Sequence, residues 1–204
     1  YNAMNIYEVL TTKGKRKSMF KRILNYVSFT LMALLVGLKI KNVDIIYVRT
    51  PPILANFCGW FLALLKRRPY VLEIGDLHPE EAVSIGLIKS KVIIFLWEKW
   101  ENFFRNAANL IVATIPGIKN LLVQKGFVSD KIIVATNAYD PPSEKKSSSM
   151  SKEINDVFKV LKEKFILIYA GSMGQAIALE TTLKAAKLIQ DQGYKDIYLL
   201  YVGE

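Results

Sequence analysis

The ten residues Leu72 to Glu81, LEIGDLHPEE, place the chain's only histidine, His78, two residues after a carboxylate, Asp76. Glu80 and Glu81 follow directly. A carboxylate and an imidazole can hold charge or a proton near neutral pH. Here they come after an apolar run, Tyr70 to Ile74, that stops at Gly75. That pattern reads as a buried strand, a loop, and a helix start with Pro79 in the first turn and acids where the helix dipole favours them. Ligands of open α/β sheets bind at the C-terminal edge of the strands, so Asp76 and His78 are candidate catalytic residues. A plainer role fits the same residues: Asp76 as a helix cap and His78 as a surface side chain.

A second candidate lies at Gly171-Ser172-Met173-Gly174, followed by Gln175, after the apolar run Phe165 to Ala170. A strand–Gly-x-x-Gly–helix junction can offer backbone N–H groups to a phosphate. The third glycine of the dinucleotide fingerprint is missing, so a phosphate cradle and a tight turn both remain open. Other chemistries lack their residues. No Asp-x-Asp, HxxxH or CxxC occurs, which leaves a protein-held catalytic metal without obvious ligands. There is no Gly-x-Ser-x-Gly elbow and no Walker loop, and one histidine with one cysteine gives a hydrolytic triad little to be built from.

The elements that must position these residues follow from periodicity. MNIYEVL, residues 4 to 10, reads as a strand, and a basic loop follows. Phe20 to Ile40 reads as a helix whose apolar residues Phe20, Ile23, Leu24, Val27, Leu31, Leu34, Leu35 and Leu38 recur at helical spacing. From Ile23 to Leu38 it carries no charge, but that run is short of the roughly 17–25 apolar residues of a membrane span, so a core helix with one side near a membrane surface is expected. Val43 to Val48 reads as a strand stopped by Pro51 and Pro52, Ile53 to Leu65 as a helix, and Tyr70 to Ile74 as a strand. Lys89 to Ala108 reads as an amphipathic helix carrying Trp97 and Trp100 as packing residues. Asn109 to Thr114 and Lys131 to Ala135 read as strands flanking a helix, Pro116 to Lys125. Alternation of this kind implies right-handed βαβ units and a parallel sheet covered on both faces. Polar, serine- and proline-rich residues 141–153 read as a linker. After it come a helix near Ile154 to Glu163, the strand Phe165 to Ala170, a helix Leu179 to Gln192 and a strand Ile197 to Val202, the opening of a second sheet. The expected organisation is a Rossmann-like domain over 1–140, the linker, and the beginning of a second such domain over 154–204. The chain reads as a fragment of something longer.

The chain has 204 residues, 51% of them apolar, and a formal net charge of +10. It is globular rather than disordered, and Cys58, inside an apolar run, reads as a small core hydrophobe. The charge implies an anionic partner: lipid headgroups, a diphosphate or nucleic acid. Lys13, Lys15, Arg16, Lys17, Lys21 and Arg22 lie together with no acid among them, directly before the apolar helix.

In order along the chain, PP after a strand, GDLHPEE, ANLIVAT-IPGIKNLLVQKGF, TNAYD and IYAGSMGQAIALETTLKAAKLI resemble the family-4 retaining glycosyltransferases, in particular the branch that builds O-antigen and capsule polysaccharides and includes fucosamine transferases. The resemblance implies a GT-B fold, two Rossmann-like domains facing each other across a cleft, with the acceptor on the N-terminal side and the nucleotide-sugar donor on the C-terminal side. It implies that Gly171, Ser172, Met173, Gly174 and Gln175 contact the donor diphosphate, that Asp76 lies near the sugar with His78 beside it, and that Pro51, Pro52 and Glu80 belong to the acceptor side. It implies no metal and no cofactor, the nucleotide-sugar being a substrate. The basic cluster and the Phe20 helix would hold the protein to the inner face of the cell membrane, where basic residues are attracted to anionic lipid. Three departures stand out. Gly75 occupies a position that is histidine or arginine in many members, His78 stands where an aromatic is usual, and Gln175 replaces a basic residue. The family's paired donor-binding glutamates would lie beyond Glu204, so the chain alone is expected to be inactive. The expected function is sugar transfer to a lipid-linked or saccharide acceptor. The alternatives are a membrane-docked acceptor-binding subunit of a split transferase and a basic nucleic-acid binder, for which no recognition motif stands out.

Overall fold

The computed structural model describes residues 5–12, 19–139, 152–174 and 177–203. The chain divides into two compact units, Tyr1–Ala138 and Tyr139–Glu204. Residues 140–151, which hold most of the expected linker, lie outside the described residues.

Unit 1 contains a four-stranded parallel sheet in the order β1 (Ile46–Thr50), β2 (Tyr70–Ile74), β3 (Leu110–Ala113), β4 (Ile132–Val134). Its helices are α1 (Met19–Lys39), α2 (Ile53–Lys66), the short α3 (Glu80–Ser84), α4 (Lys91–Ala107) and α5 (Pro116–Gln124). The mixed α/β class with parallel sheets is therefore as the alternation requires. Its layering is not. Each strand pairs with the next in sequence, and right-handed crossovers taken always in one direction put α2, α4 and α5 on the same face. Burial agrees. Tyr70, Leu72, Ile74, Ile111, Ala113 and Ile132 join Ala63 of α2, Phe104 of α4, and Ile118 and Leu122 of α5 in one core. The alternate positions are buried on the central strands, at Val71 and Val112, but exposed on the edge strands, Tyr47 at 55% and Ile133 at 45%. The expectation of helices on both faces is corrected accordingly for the described residues.

Two local features fix the helical layer. A side chain at Gly59 would bring its Cβ within 1.9 Å of the Val48 methyl, so only glycine lets α2 lie this close to β1. At Gly37 a Cβ would lie 2.6 Å from the tip of the Leu62 side chain, so α1 also approaches α2 closely there. The Lys66 ammonium donates to the Leu38 and Ile40 carbonyls, closing the end of α1 onto α2.

Two sequence expectations are overturned here. Residues 5–10 form no strand; Ile6 and Leu10 are exposed, and the edge of β1 is not paired with them. The helix α1 does not direct its apolar stripe into a core: Phe20, Ile23, Leu24, Leu31, Leu35 and Leu38 are exposed while Thr30 is buried. No helix among the described residues is long and apolar enough to cross a membrane.

Unit 2 holds α6 (Lys152–Leu161), β5 (Phe165–Ala170), α7 (Leu179–Asp191) and β6 (Ile197–Val202). The strands pair in parallel from Phe165↔Ile197 to Ala170↔Val202. Their C-terminal ends meet closely. The Gly171 amide donates to the Val202 carbonyl, and a Cβ at Gly203 would lie 1.8 Å from the Gly171 oxygen. Glycine is required at that approach.

Candidate functional site

In unit 1 the strand ends deliver the loops in which the sequence candidates lie. The Gly75 amide donates to the Thr50 carbonyl at 3.1 Å, and the Thr114 hydroxyl donates to the Gly75 carbonyl at 3.2 Å. The exits of β1, β2 and β3 are thereby tied together, and Asp76 leaves that junction exposed. Its carboxylate makes no hydrogen bond or ion pair among the described residues, and α3 has Pro79 as its N-cap with no side-chain cap bond. The helix-cap role considered for Asp76 is thus not the one it plays. Pro51 is exposed and Pro52 half-buried, the latter at the N-cap of α2.

His78 turns toward the helical layer. Its ring stacks on Trp97 of α4, with centroids 5.7 Å apart, and its Nδ1 lies 3.8 Å from the Glu81 carboxylate with no hydrogen-bond partner. The loop below it is held from α4 as well: Arg105 donates to the His78 carbonyl at 2.9 Å. Arg105 and Glu101 are both 2% exposed and 3.9 Å apart, and Asn56 and Trp97 donate to the Glu101 carboxylate. Burial pushes the Glu101 carboxyl up, against the opposing pull of Arg105. Burial also pulls the Arg105 guanidinium down from its ordinary value, against the carboxylates of Glu101, Glu80 and Glu98. A buried pair of this kind costs desolvation and is a positioning device more than a source of stability. Glu80 is engaged by Lys125. Burial alone would raise its carboxyl, but the hydrogen bond from Lys125, a backbone hydrogen bond at Glu80 and the charges of Lys125 and Arg105 together hold it below its ordinary value.

A residue assigned no role from the sequence stands beside Gly75. Arg49, on β1, ion-pairs with Glu73 at 3.1 Å and donates to Asn137 at 3.2 Å. Glu73 also accepts from the Tyr47 hydroxyl at 2.6 Å. Burial, then the bond to Glu73, push the Tyr47 hydroxyl up to about 12, so it stays a donor. A Cβ on Gly75 would lie 3.7 Å from both Nε and Nη2 of Arg49. The guanidinium thus borders the space that a basic side chain at position 75 would enter. The signal in the sequence was the absence of that basic residue, together with an arginine at the end of the preceding strand.

In unit 2, Gly171, Ser172, Met173 and Gly174 are described and Gln175 lies outside the described residues. The Tyr169 hydroxyl donates to the Ser172 carbonyl at 2.9 Å and braces the loop. A cavity of about 440 Å³ opens where the loop meets α7, lined by Met173, Gly174, Ala178, Leu179, Glu180, Thr181 and Lys184. The N-cap of α7, Ala178, is left-handed (φ 49°) and offers no side-chain cap. The loop can thus present backbone donors and one lysine to an anion, with Glu180 opposing. A second, apolar cavity of about 400 Å³ lies between the sheet and α7 near Leu167, Thr182 and Tyr201.

Of the basic cluster, Lys13, Lys15, Arg16 and Lys17 lie outside the described residues, Lys21 is exposed on α1, and the Arg22 side chain is likewise outside them. No group of three or more histidine, cysteine, aspartate or glutamate side chains could hold a metal among the described residues.

No protein-family model and no curated protein matches the chain. Solved structures do. One is a protein of Listeria monocytogenes assigned as a UDP-N-acetylglucosamine 2-epimerase, at 14% identity and a TM-score of 0.52, covering 95% of this chain and 47% of that one. Another is Alr3699/HepE of Anabaena, solved with UDP and glucose, at 14% identity and a TM-score of 0.50, covering 91% and 53%. The chain therefore spans about half the length of these solved proteins. At such identity the likeness is one of fold: the chain has a Rossmann-type, GT-B-like α/β fold.

Proposed function

We propose that the chain belongs to an enzyme acting on a nucleotide-sugar, and more narrowly to a glycosyltransferase of the retaining, GT-B type that passes a sugar to a lipid-linked acceptor in cell-surface polysaccharide synthesis. The observation that carries the reading is the cavity at the N-terminus of α7, bounded by Gly174 and Lys184. A diphosphate is the anion whose size and charge suit a glycine loop at a helix start. The solved neighbours add support at the level of class, one assigned as an epimerase of UDP-N-acetylglucosamine and the other solved with UDP and glucose.

In this reading Gly171 to Gln175 hold the donor diphosphate, and Asp76 meets the sugar. His78 acts through its place in the Asp76 loop. Pro51, Pro52 and Glu80 border the acceptor. Arg49 supplies the positive charge that Gly75 cannot. Retention by front-face attack asks for positioning and for stabilisation of the leaving diphosphate, tasks that backbone donors and cations can meet. The exposed apolar residues of α1, next to the Lys13–Arg22 cluster, are the expected membrane-facing part, at the inner face of the cell membrane.

Calorimetric titration tests this. A nucleoside diphosphate, its sugar derivative, the bare nucleoside, inorganic phosphate and an oligonucleotide would each be titrated into the chain. The expected order is tightest binding for the diphosphate-bearing nucleotides, weakened by Gly174→Val. Tight oligonucleotide binding with a steep salt slope and no response to the nucleotides would replace this reading with the nucleic-acid one.

A further inference from the structure

The helix α4 is apolar on two sides: Phe104 lies in the core and Trp100 packs against it. Its buried side carries the ion pair of Glu101 and Arg105, both side chains 2% exposed. Its outer side carries Val92 at 67%, Phe95 at 55%, Leu96 at 61% and Phe103 at 50% exposure. These four follow the three- and four-residue steps of one helical face. The apolar surface does not stop at the helix. Phe103 meets Trp60 of α2 edge to face at 5.2 Å, and Leu87 before α4 is 62% exposed. Exposed apolar patches of this extent mark an interaction site.

The charges around the stripe indicate what covers it. Lys89 and Lys91 border it and Lys99 lies within it, all exposed, and Lys99 holds its ammonium 5.4 Å above the Phe95 ring. The stripe carries no acid; Glu98, on the adjoining face, is taken by Lys125 at 3.8 Å. A second copy of the chain, paired across a two-fold axis, would bring both sets of these lysines into one interface with no acid on either stripe. An anionic bilayer would pair them with phosphates while the apolar stripe enters the headgroup boundary, as surface-lying amphipathic helices do.

We propose that the outer face of α4 is a bilayer-docking surface for anionic lipid, in which Val92, Phe95, Leu96 and Phe103 enter the interface and Lys91 and Lys99 lie at its phosphates. Its apolar residues belong to α4 rather than to α1, and the docking does not depend on the sugar-transfer reading.

Flotation of the full chain with phosphatidylglycerol/phosphatidylcholine vesicles tests it, with pure phosphatidylcholine vesicles alongside. The chain is expected to float with the anionic vesicles. The F95D/L96D variant should partition at least about tenfold more weakly, the cost of withholding one leucine-sized side chain from an apolar phase. K91E/K99E should weaken binding to the anionic vesicles and flatten its salt dependence. Because all four side chains are exposed, the circular dichroism of both variants should match that of the original chain. A polarity-sensitive dye on Phe95→Cys gives a second reading, a blue shift on vesicle addition. The proposal is overturned if F95D/L96D floats as the original does, if charge reversal at Lys13 and Lys15 alone abolishes flotation with no dye shift at position 95, or if the chain never floats and F95D/L96D instead dissolves a dimer.

Discussion

Unit 1 and unit 2 repeat the same strand–helix–strand theme, yet only unit 1 closes a core. Leu72, Ile111, Leu122 and Ile132 are at most 1% exposed. Among the described residues of unit 2, Leu161 alone is a buried apolar side chain, while Phe165 is 64% and Ile168 58% exposed. Parallel strands are ordinarily covered on both faces, and a two-stranded sheet with one packed helix does not achieve that. The lesson is a division of labour. Unit 1 spends burial on fixing the Asp76 loop, including a desolvated ion pair, whereas the glycine loop of unit 2 sits on a thin, open support. Loops on such support belong to the low end of local stability, where binding can order them.

Breaking the buried pair should give the largest effect. Arg105→Ala leaves Glu101 without its cation and should destabilise unit 1 by about 3–5 kcal/mol, read as a lower denaturant midpoint. Tryptophan fluorescence should report the loss of the His78–Trp97 stack at the same time. A shift of less than about 1 kcal/mol would mean that the pair is solvated. Next, Leu72→Ala should cost about 2–5 kcal/mol, while the matching truncation in unit 2, Ile168→Ala, should stay within about 0.5 kcal/mol. Equal costs would erase the contrast between the units. A small, pH-dependent effect belongs to Glu80→Gln. The Glu80 carboxyl lies below its ordinary value of 4.5 in the folded state. Its contribution is therefore present above that pH and lost as the pH falls through the lowered value. Being part-exposed, it should amount to about 0.2–1 kcal/mol. Glu80→Gln should remove it at neutral pH and leave the stability at low pH unchanged.

Much of the frame could be read directly from the chain. Tyr70–Ile74, Phe165–Ala170 and Ile197–Val202 are strands with the expected limits, because short apolar runs bounded by Gly or Pro leave little choice. β1 starts three residues later than expected, since pairing sets its beginning: the Ile46 amide donates to the Pro69 carbonyl. Periodicity showed that α4 is amphipathic but not that Glu101 and Arg105 go inward beside Trp100 and Phe104, where Asn56 donates to the first and the His78 carbonyl accepts from the second. Residues 5–10 alternate like a strand yet find no partner, and alternation supplies no ladder by itself. The Arg49–Asn137 contact joins positions far apart in the chain, so no local pattern could announce it.

The most direct test of the nucleotide-sugar account is an amide-resolved NMR titration of the chain with a nucleoside diphosphate, followed at Gly171, Gly174 and Thr181. The account predicts saturable shifts at these three amides, absent with the bare nucleoside and abolished by Gly174→Val. Shifts confined to unit 1, or none at any concentration of diphosphate, would contradict it.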